Sequence, residues 1–343
     1  MSLARKILYG AGAIALAMVV IGVFLPSTVH VVRETAIDAP AATVFALISD
    51  MRRMQEWSPW TRPSAGDEPL FSGPRRGDGA SVRFTAPTGQ RGRQTVIASD
   101  PFRSVVTEIE FEGSPAFRSA LTLDTVDGRT KVTWTCDADL GLNLLARYLR
   151  PKFRSRIGGD YESGLADLKS MAESLPRADF SDLEIEHTIV EPQTIAYVTT
   201  DSMPSATAIS EAMGEAFFDV LRFIDRHGLR EAGAPLSISR NFSGSRLVFD
   251  AGVPVEGIVE RTDESGNGVR LGRSYGGPVI RVAHSGPYGG LAGTHEKVAA
   301  YLAAYGIGRN GDAWESYESD PARTPESDLL TYVYYPVTEA PPL

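Results

Sequence analysis

The chain has 343 residues, one cysteine and a formal net charge of −9. That length exceeds one small domain and suits two of ordinary size, and the negative balance argues against a general nucleic-acid binder. Cys136 is the single cysteine, so an intrachain disulfide is excluded; in the alternating run Lys131–Cys136 it reads as a buried structural thiol.

The charge is unevenly spread. Residues 179–343 hold 12 basic and 24 acidic side chains, net −12, against 22 and 19, net +3, in residues 1–178. Such a shift fits a domain boundary near 178 and makes the second half the better host for cations. The five histidines (His30, His187, His227, His284, His295) stand at no metal-ligand spacing. No glycine-rich phosphate loop stands between a strand and a helix, so nothing points to a nucleotide, a metal or a flavin.

Residues Ile7–Leu25 run 19 residues without a charge, preceded by Arg5 and Lys6. This is long enough to cross a bilayer as a helix, with the N-terminus cytoplasmic and the rest extracytoplasmic, at the inner membrane of a bacterial-type envelope. A cleaved signal peptide is the rival reading; the exit Leu25-Pro26-Ser27-Thr28-Val29 lacks a clear small-x-small site. Val29–Ile37 then alternates as a strand. Asp38-Ala39-Pro40 opens a short amphipathic helix over Ala41–Ser49, and Met54–Trp60 carries two tryptophans around Pro59. Strand patterns follow at 80–86, 90–99, 104–111, 116–125 and 130–138, with Asp127-Gly128 as one turn. Residues 142–175 read as a long helix interrupted near Pro151 and Gly158-Gly159. A curved sheet wrapped on such a helix leaves an internal cavity. Its basic run Arg147, Arg150, Lys152, Arg154, Arg156 is either a solvated face or a contact to anionic headgroups.

Ile37-Asp38-Ala39-Pro40, Val44-Phe45, Ile48-Ser49-Asp50, Trp57-Ser58-Pro59-Trp60 and the closing Tyr161–Lys169 resemble the START-like or SRPBCC family, the polyketide cyclase-like proteins. The resemblance implies a helix-grip domain over 29–176 with a cavity for an apolar small molecule. Trp57, Trp60 and Phe84 are its candidate lining, with ordinary core packing as the alternative for the tryptophans.

Residues 177–182 are a short linker, and a repeat follows over 183–343. Strand 193–200, helix 206–227, strand 236–241 and strand 246–253 are matched by strand 279–285, helix 288–305, strand 314–318 and strand 329–337. Two strand-helix-strand-strand units imply a pseudo-twofold α+β domain with a groove between its halves. In Trp314-Glu315-Ser316-Tyr317, strand alternation puts Glu315 and Tyr317 on one face and Trp314 and Ser316 on the other. Buried in a cleft, a carboxylate beside a ring attracts a flat or cationic molecule; on an exposed edge strand the same pattern is an ordinary solvated Glu. Glu318 reads as surface.

Val190–Tyr197, Phe249–Val255, His284-Ser285-Gly286-Pro287-Tyr288, Trp314–Pro321 and Leu330–Val337 resemble the GyrI-like effector-binding domain of AraC- and MerR-type regulators, with SOUL-like relatives. The resemblance makes Glu315 the central acidic residue of the groove, with Tyr317 and Tyr288 flanking it and Trp314 and Tyr197 among the ligand contacts. Some members look like hydrolases of strained electrophilic rings; Glu315 would then be the general base and Tyr317 the hydrogen-bond donor.

The expected chain is thus α+β: a membrane-anchor helix (7–25), a helix-grip (START-like) domain and a pseudo-twofold βαββ (GyrI-like) domain. The expected function is extracytoplasmic binding of small hydrophobic, aromatic or cationic molecules without a cofactor, with hydrolysis of an electrophilic xenobiotic as the alternative. No helix-turn-helix precedes the sensor-like half, so a transcription-factor role is not expected.

Overall fold

The computed structural model describes residues 3–62, 68–86, 89–257 and 268–338. They form two compact units, the first running to Ser181 and including Ala303–Tyr305, the second made of Asp182–Leu302 and the described residues from Gly306 onward.

The first unit begins with helix α1 (Leu3–Phe24), strand β1 (Thr28–Ile37) and helices α2 (Ala41–Ser49) and α3 (Met51–Trp57). Strands β2 (Leu70–Ser72), β3 (Ser81–Thr85), β4 (Arg91–Asp100), β5 (Ser104–Phe111), β6 (Phe117–Val126) and β7 (Arg129–Asp139) follow, then helix α4 (Leu144–Glu173). The sheet runs β1-β7-β6-β5-β4-β3-β2, antiparallel throughout. Alternation decides which side chains turn inward: Val132, Trp134 and Cys136 of β7 are buried on the face that meets α4. Tyr161, Leu165, Leu168 and Ala172 of α4 supply the facing surface.

The helix expected to break near Pro151 is continuous. Proline removes one amide donor but not the rest of the ladder, and Asn143 caps the helix by accepting from the Ala146 amide at 3.0 Å. Gly164 has a packing role, since a Cβ there would lie 2.7 Å from the Trp134 ring. Helix α3 was not expected from the sequence. Its cap is Asp50, fully buried, which accepts from the Arg52 amide at 2.9 Å and pairs with Arg75 Nε at 2.6 Å.

The expected membrane anchor is not supported. A 22-residue helix does form at α1. Among the described residues, however, no helix is long and apolar enough to cross a membrane. The C-terminal end of α1 is held by α4: Arg147 Nη1 donates to the carbonyls of Gly22, Val23 and Leu25, and the Tyr148 hydroxyl donates to that of Met18 at 2.6 Å. Arg150 Nε donates to the Thr28 carbonyl. Two members of the basic run therefore have structural partners; Lys152, Arg154 and Arg156 are exposed.

The second unit contains β8 (Ile185–Val190), β9 (Thr194–Ser202), α5 (Ala206–Arg226), β10 (Arg230–Glu231), β11 (Leu236–Ser243), β12 (Arg246–Glu256), β13 (Arg270–Arg273), β14 (Gly277–Ser285), α6 (Leu291–Tyr305), β15 (Trp314–Tyr317) and β16 (Leu330–Pro336). The sheet order is β13-β9-β12-β11-β15-β16-β14-β8, with β10 on β12. Both expected βαββ units are present, β9-α5-β11-β12 and β14-α6-β15-β16, and they meet where β11 pairs with β15. The strand before each unit pairs with the other unit: β8 lies on β14 and β13 on β9. Those two strands were not read from the sequence. Glu315 lies on a central strand of this sheet, beside the pseudo-twofold.

Candidate functional site

In the second domain the register puts Ser237, Glu315 and Val333 side by side across β11, β15 and β16. Helices α5 and α6 cover this face. Leu291, Val298 and Leu302 are the buried side of α6, and His295 shares that stripe. Its Nε2 lies 2.9 Å from Glu315 Oε1, and its Nδ1 lies 2.8 Å from the Tyr335 hydroxyl. The Tyr317 hydroxyl donates to Glu315 Oε2 at 2.5 Å. An ionised carboxylate only accepts, so a neutral His295 donates from Nε2 and accepts from Tyr335 at Nδ1. Glu315 is thus gripped at both oxygens, with its side chain 18% exposed.

Rings wall this group. Phe217 of α5 meets Tyr317 edge-on at 6.2 Å, and Tyr288, ahead of α6, meets it edge-on at 5.5 Å. Burial first, then the neighbouring Glu315 charge, pushes the Tyr317 phenol well above its usual value. Burial likewise raises Tyr335, against the opposing charge of Arg309, whose guanidinium lies 5.1 Å from its ring centre. Tyr317 and Tyr335 therefore stay protonated and available as donors at neutral pH. The arrangement can hold a cation against a half-buried carboxylate between aromatic edges, or pass a proton along Tyr317, Glu315 and His295.

The structure brings Glu315, Tyr317 and Tyr288 together. It places Trp314 and Tyr197 on the opposite face of the sheet: Trp314 stacks on Tyr334 at 4.7 Å, and Tyr197 packs with Ile195 and Leu236. Strand alternation requires this, because Trp314 neighbours Glu315 in sequence and Tyr197 lies opposite Gly252, in register with Leu236. His295, Phe217 and Tyr335 were missed. For His295 a signal existed, its place on the apolar stripe of α6.

In the first domain Trp57 is a core residue. It is fully buried, its indole N–H donates to the Leu47 carbonyl at 3.0 Å, and its ring meets Trp134 edge-on at 5.4 Å. Trp134 in turn stacks on Tyr161 at 3.8 Å, and Trp60 packs on both while donating to Asp160 Oδ2 at 3.0 Å. Rings therefore fill the space where a cavity mouth was expected. Phe84 does line a concavity, of about 740 Å³, with Leu70, Phe111, Arg83 and Glu110, at the β3–β5 end of the sheet. Gly92 lies under the Phe84 and Phe111 rings, where a Cβ would come within 2.8 Å of Phe84.

In the first domain a sheet thus grips one long helix around an aromatic interior. Residues 28–173 match the family described as "Polyketide cyclase / dehydrase and lipid transport". The match starts with β1 and ends with α4. Among solved structures, the C-terminal domain of EcmrR shares 11% identity over 46% of this chain and 99% of its own, with a TM-score of 0.38. The Aha1 dimer from Colwellia psychrerythraea shares 17% over 42% of this chain and 96% of its own, with a TM-score of 0.33. CalU16 from Micromonospora echinospora shares 18% over 41% and 71%, with a TM-score of 0.29. No curated protein matches the chain.

Proposed function

We propose that this chain is a membrane-attached, extracytoplasmic binding protein whose second domain takes cationic or aromatic small molecules at Glu315. One observation carries the reading: a half-buried carboxylate, gripped by His295 and Tyr317, sits among the rings of Phe217, Tyr288 and Tyr317. Anions are repelled from such a site, and planar cations gain both charge pairing and ring contact. The first domain, by its match to a family that includes lipid transport, is proposed to take a small hydrophobic molecule at the Phe84 concavity. The test of the main reading is a thermal-shift screen of the wild type beside Glu315→Gln against planar cations, neutral aromatics and amphipathic lipids. Cation stabilisation that vanishes in the variant supports it. A shift with lipids alone, equal in both proteins, moves the function to the first domain.

A hydrolase is the second reading, favoured by the continuous run Tyr317–Glu315–His295, in which a carboxylate base stands beside two donors. Under it, Glu315→Gln abolishes turnover of a strained electrophile while the ligand still binds.

The membrane reading rests on the uncharged run 7–25 and on exposed apolar side chains next to it. Phe24 of α1 is 84% exposed, and Leu145, Leu149 and Phe153 form an exposed stripe along the part of α4 that holds α1. A bilayer would cover both, with Arg154 and Arg156 toward anionic headgroups. Release of the full chain from membranes by alkaline carbonate would sink this reading; retention supports it.

A further inference from the structure

The sheet of the second domain has a second face, and the groove at Glu315 does not use it. On that face the indole of Trp314 and the phenol of Tyr334, directly opposite each other in the β15–β16 register, stack at 4.7 Å and 5°. Tyr275 adds a third ring, 6.0 Å from Trp314 and tilted by 42°. Three connections rise around these rings: the β8–β9 turn with Glu191, the β10–β11 turn with Gly233, and the β13–β14 turn with Tyr275. Together they enclose a cavity of about 340 Å³ floored by Leu236, Ser316 and Trp314. Its walls depend on small residues. A Cβ on Gly276 would lie 2.7 Å from Pro192, so two of the walls approach as closely as they do because that position has no side chain.

The charge inside is negative. Glu191 and Glu318 both line the cavity. Glu318 is oriented by the Ser316 hydroxyl, which donates to its Oε1 at 2.7 Å. Two guanidiniums border the cavity and each has a partner: Arg281, opposite Tyr334 in register, lies over Tyr332 at 4.6 Å from its ring centre and pairs with Glu186, and Arg273 donates to the Pro192 carbonyl at 3.1 Å. Stacked rings, two carboxylates and a volume at the lower end of the ~300–1,000 Å³ typical of ligand sites describe a receptor for a compact organic cation.

We propose that the Trp314–Tyr334 cavity is a second binding site, separate from the Glu315 groove, for a small aromatic or alkyl ammonium. The cation sits against the indole and phenol faces with its charge toward Glu318 and Glu191. The two sites lie on opposite faces of strand β15, so neighbouring residues of one short strand serve each in turn: Trp314 and Ser316 this one, Glu315 and Tyr317 the other.

The test is calorimetric titration of the full chain with benzyltrimethylammonium, and with benzyl alcohol as the uncharged ring control. Four proteins are compared: wild type, Glu315→Gln, the double variant Glu191→Gln/Glu318→Gln, and the triple combination. Both glutamates of the pair are exposed, so their amides leave folding intact, which an unchanged melting curve verifies. Glu315→Gln is expected to keep one ammonium site, and adding the pair substitution to weaken that site at least fivefold while benzyl alcohol is unaffected. Loss of all ammonium binding in Glu315→Gln alone, equal affinity with and without the pair substitution, or no ammonium binding to the wild type would each overturn the proposal. Trp314→Phe supplies an independent reading. It retains a ring but shrinks the stack, and it should weaken benzyltrimethylammonium in the Glu315→Gln background; an unchanged affinity there also counts against the site.

Discussion

His295 Nε2 and Glu315 Oε1 stand 2.9 Å apart, joining helix α6 to the central strand β15. The bond ties the helix over the groove and holds the carboxylate in one orientation. Replacing His295 by Ala removes a donor to a half-buried charged group and should cost about 1.5–3 kcal/mol of stability, measured by urea unfolding. His295→Gln, whose amide can donate to the same oxygen, should recover part of that loss. Equal stability of the two variants would show that the ring packs there without serving Glu315.

Alkaline pH should weaken the fold from about pH 9 upward. Burial pushes the Cys136 thiol from 9.0 up to about 11, and it pushes the Tyr161 phenol well above 10.0. Between pH 9 and 11 the unfolded chain releases the thiol proton that the folded chain keeps. Rising pH therefore favours unfolding across that window, by up to about 2–3 kcal/mol from the thiol. Below pH 9 both states are protonated and the contribution is fully present. In Cys136→Ala the decline should begin about one pH unit later, where tyrosine ionisation takes over. Urea midpoints at stepped pH measure this, and an unchanged onset would refute the assignment.

Trp57→Ala should cost about 3–5 kcal/mol, because it empties a fully buried site and strands the Leu47 carbonyl. Gly164→Ala should cost about 1–3 kcal/mol by forcing a methyl against the Trp134 ring. Thermal unfolding reads both. Ligand affinity at the Phe84 concavity should follow stability in neither, since Trp57 and Gly164 do not line it.

Arg147 donates to three carbonyls at the end of α1, those of Gly22, Val23 and Leu25. Arg147→Ala should raise hydrogen exchange over residues 18–28 by roughly tenfold, the equivalent of one charged hydrogen bond lost. Exchange in α4 beyond Gly158 should not change. Uniform protection in the variant would mean that Tyr148 and side-chain packing suffice to dock the helix.

Much of this architecture was readable along the chain because period-two and period-3.6 patterns are local. The strands of the first sheet and both βαββ units announce themselves by alternation and by their turns. The elements that escaped are those whose formation depends on a distant partner. Strand β8 exists because β14 offers it an edge, and β13 because β9 does. Helix α3 depends on Asp50, whose burial is tolerated through Arg75. Pro151 was read as a break because the local rule is real, yet capping by Asn143 and the buried face of α4 outweigh one lost amide bond.

The sequence by itself determined that Glu315 and Tyr317 share a face, since side chains alternate along any strand. It also determined that Trp314 cannot share that face. Only the tertiary structure decided what each face meets. Helix α6 brings His295 to Glu315 across 20 positions of chain, and β16 brings Tyr335 to His295 across 40. On the other side β16 lays Tyr334 on Trp314, and three separate turns wall the rings. Contacts of this kind are set by the register between strands and by the docking of helices, which depend on burial summed over the whole core rather than on any local spacing.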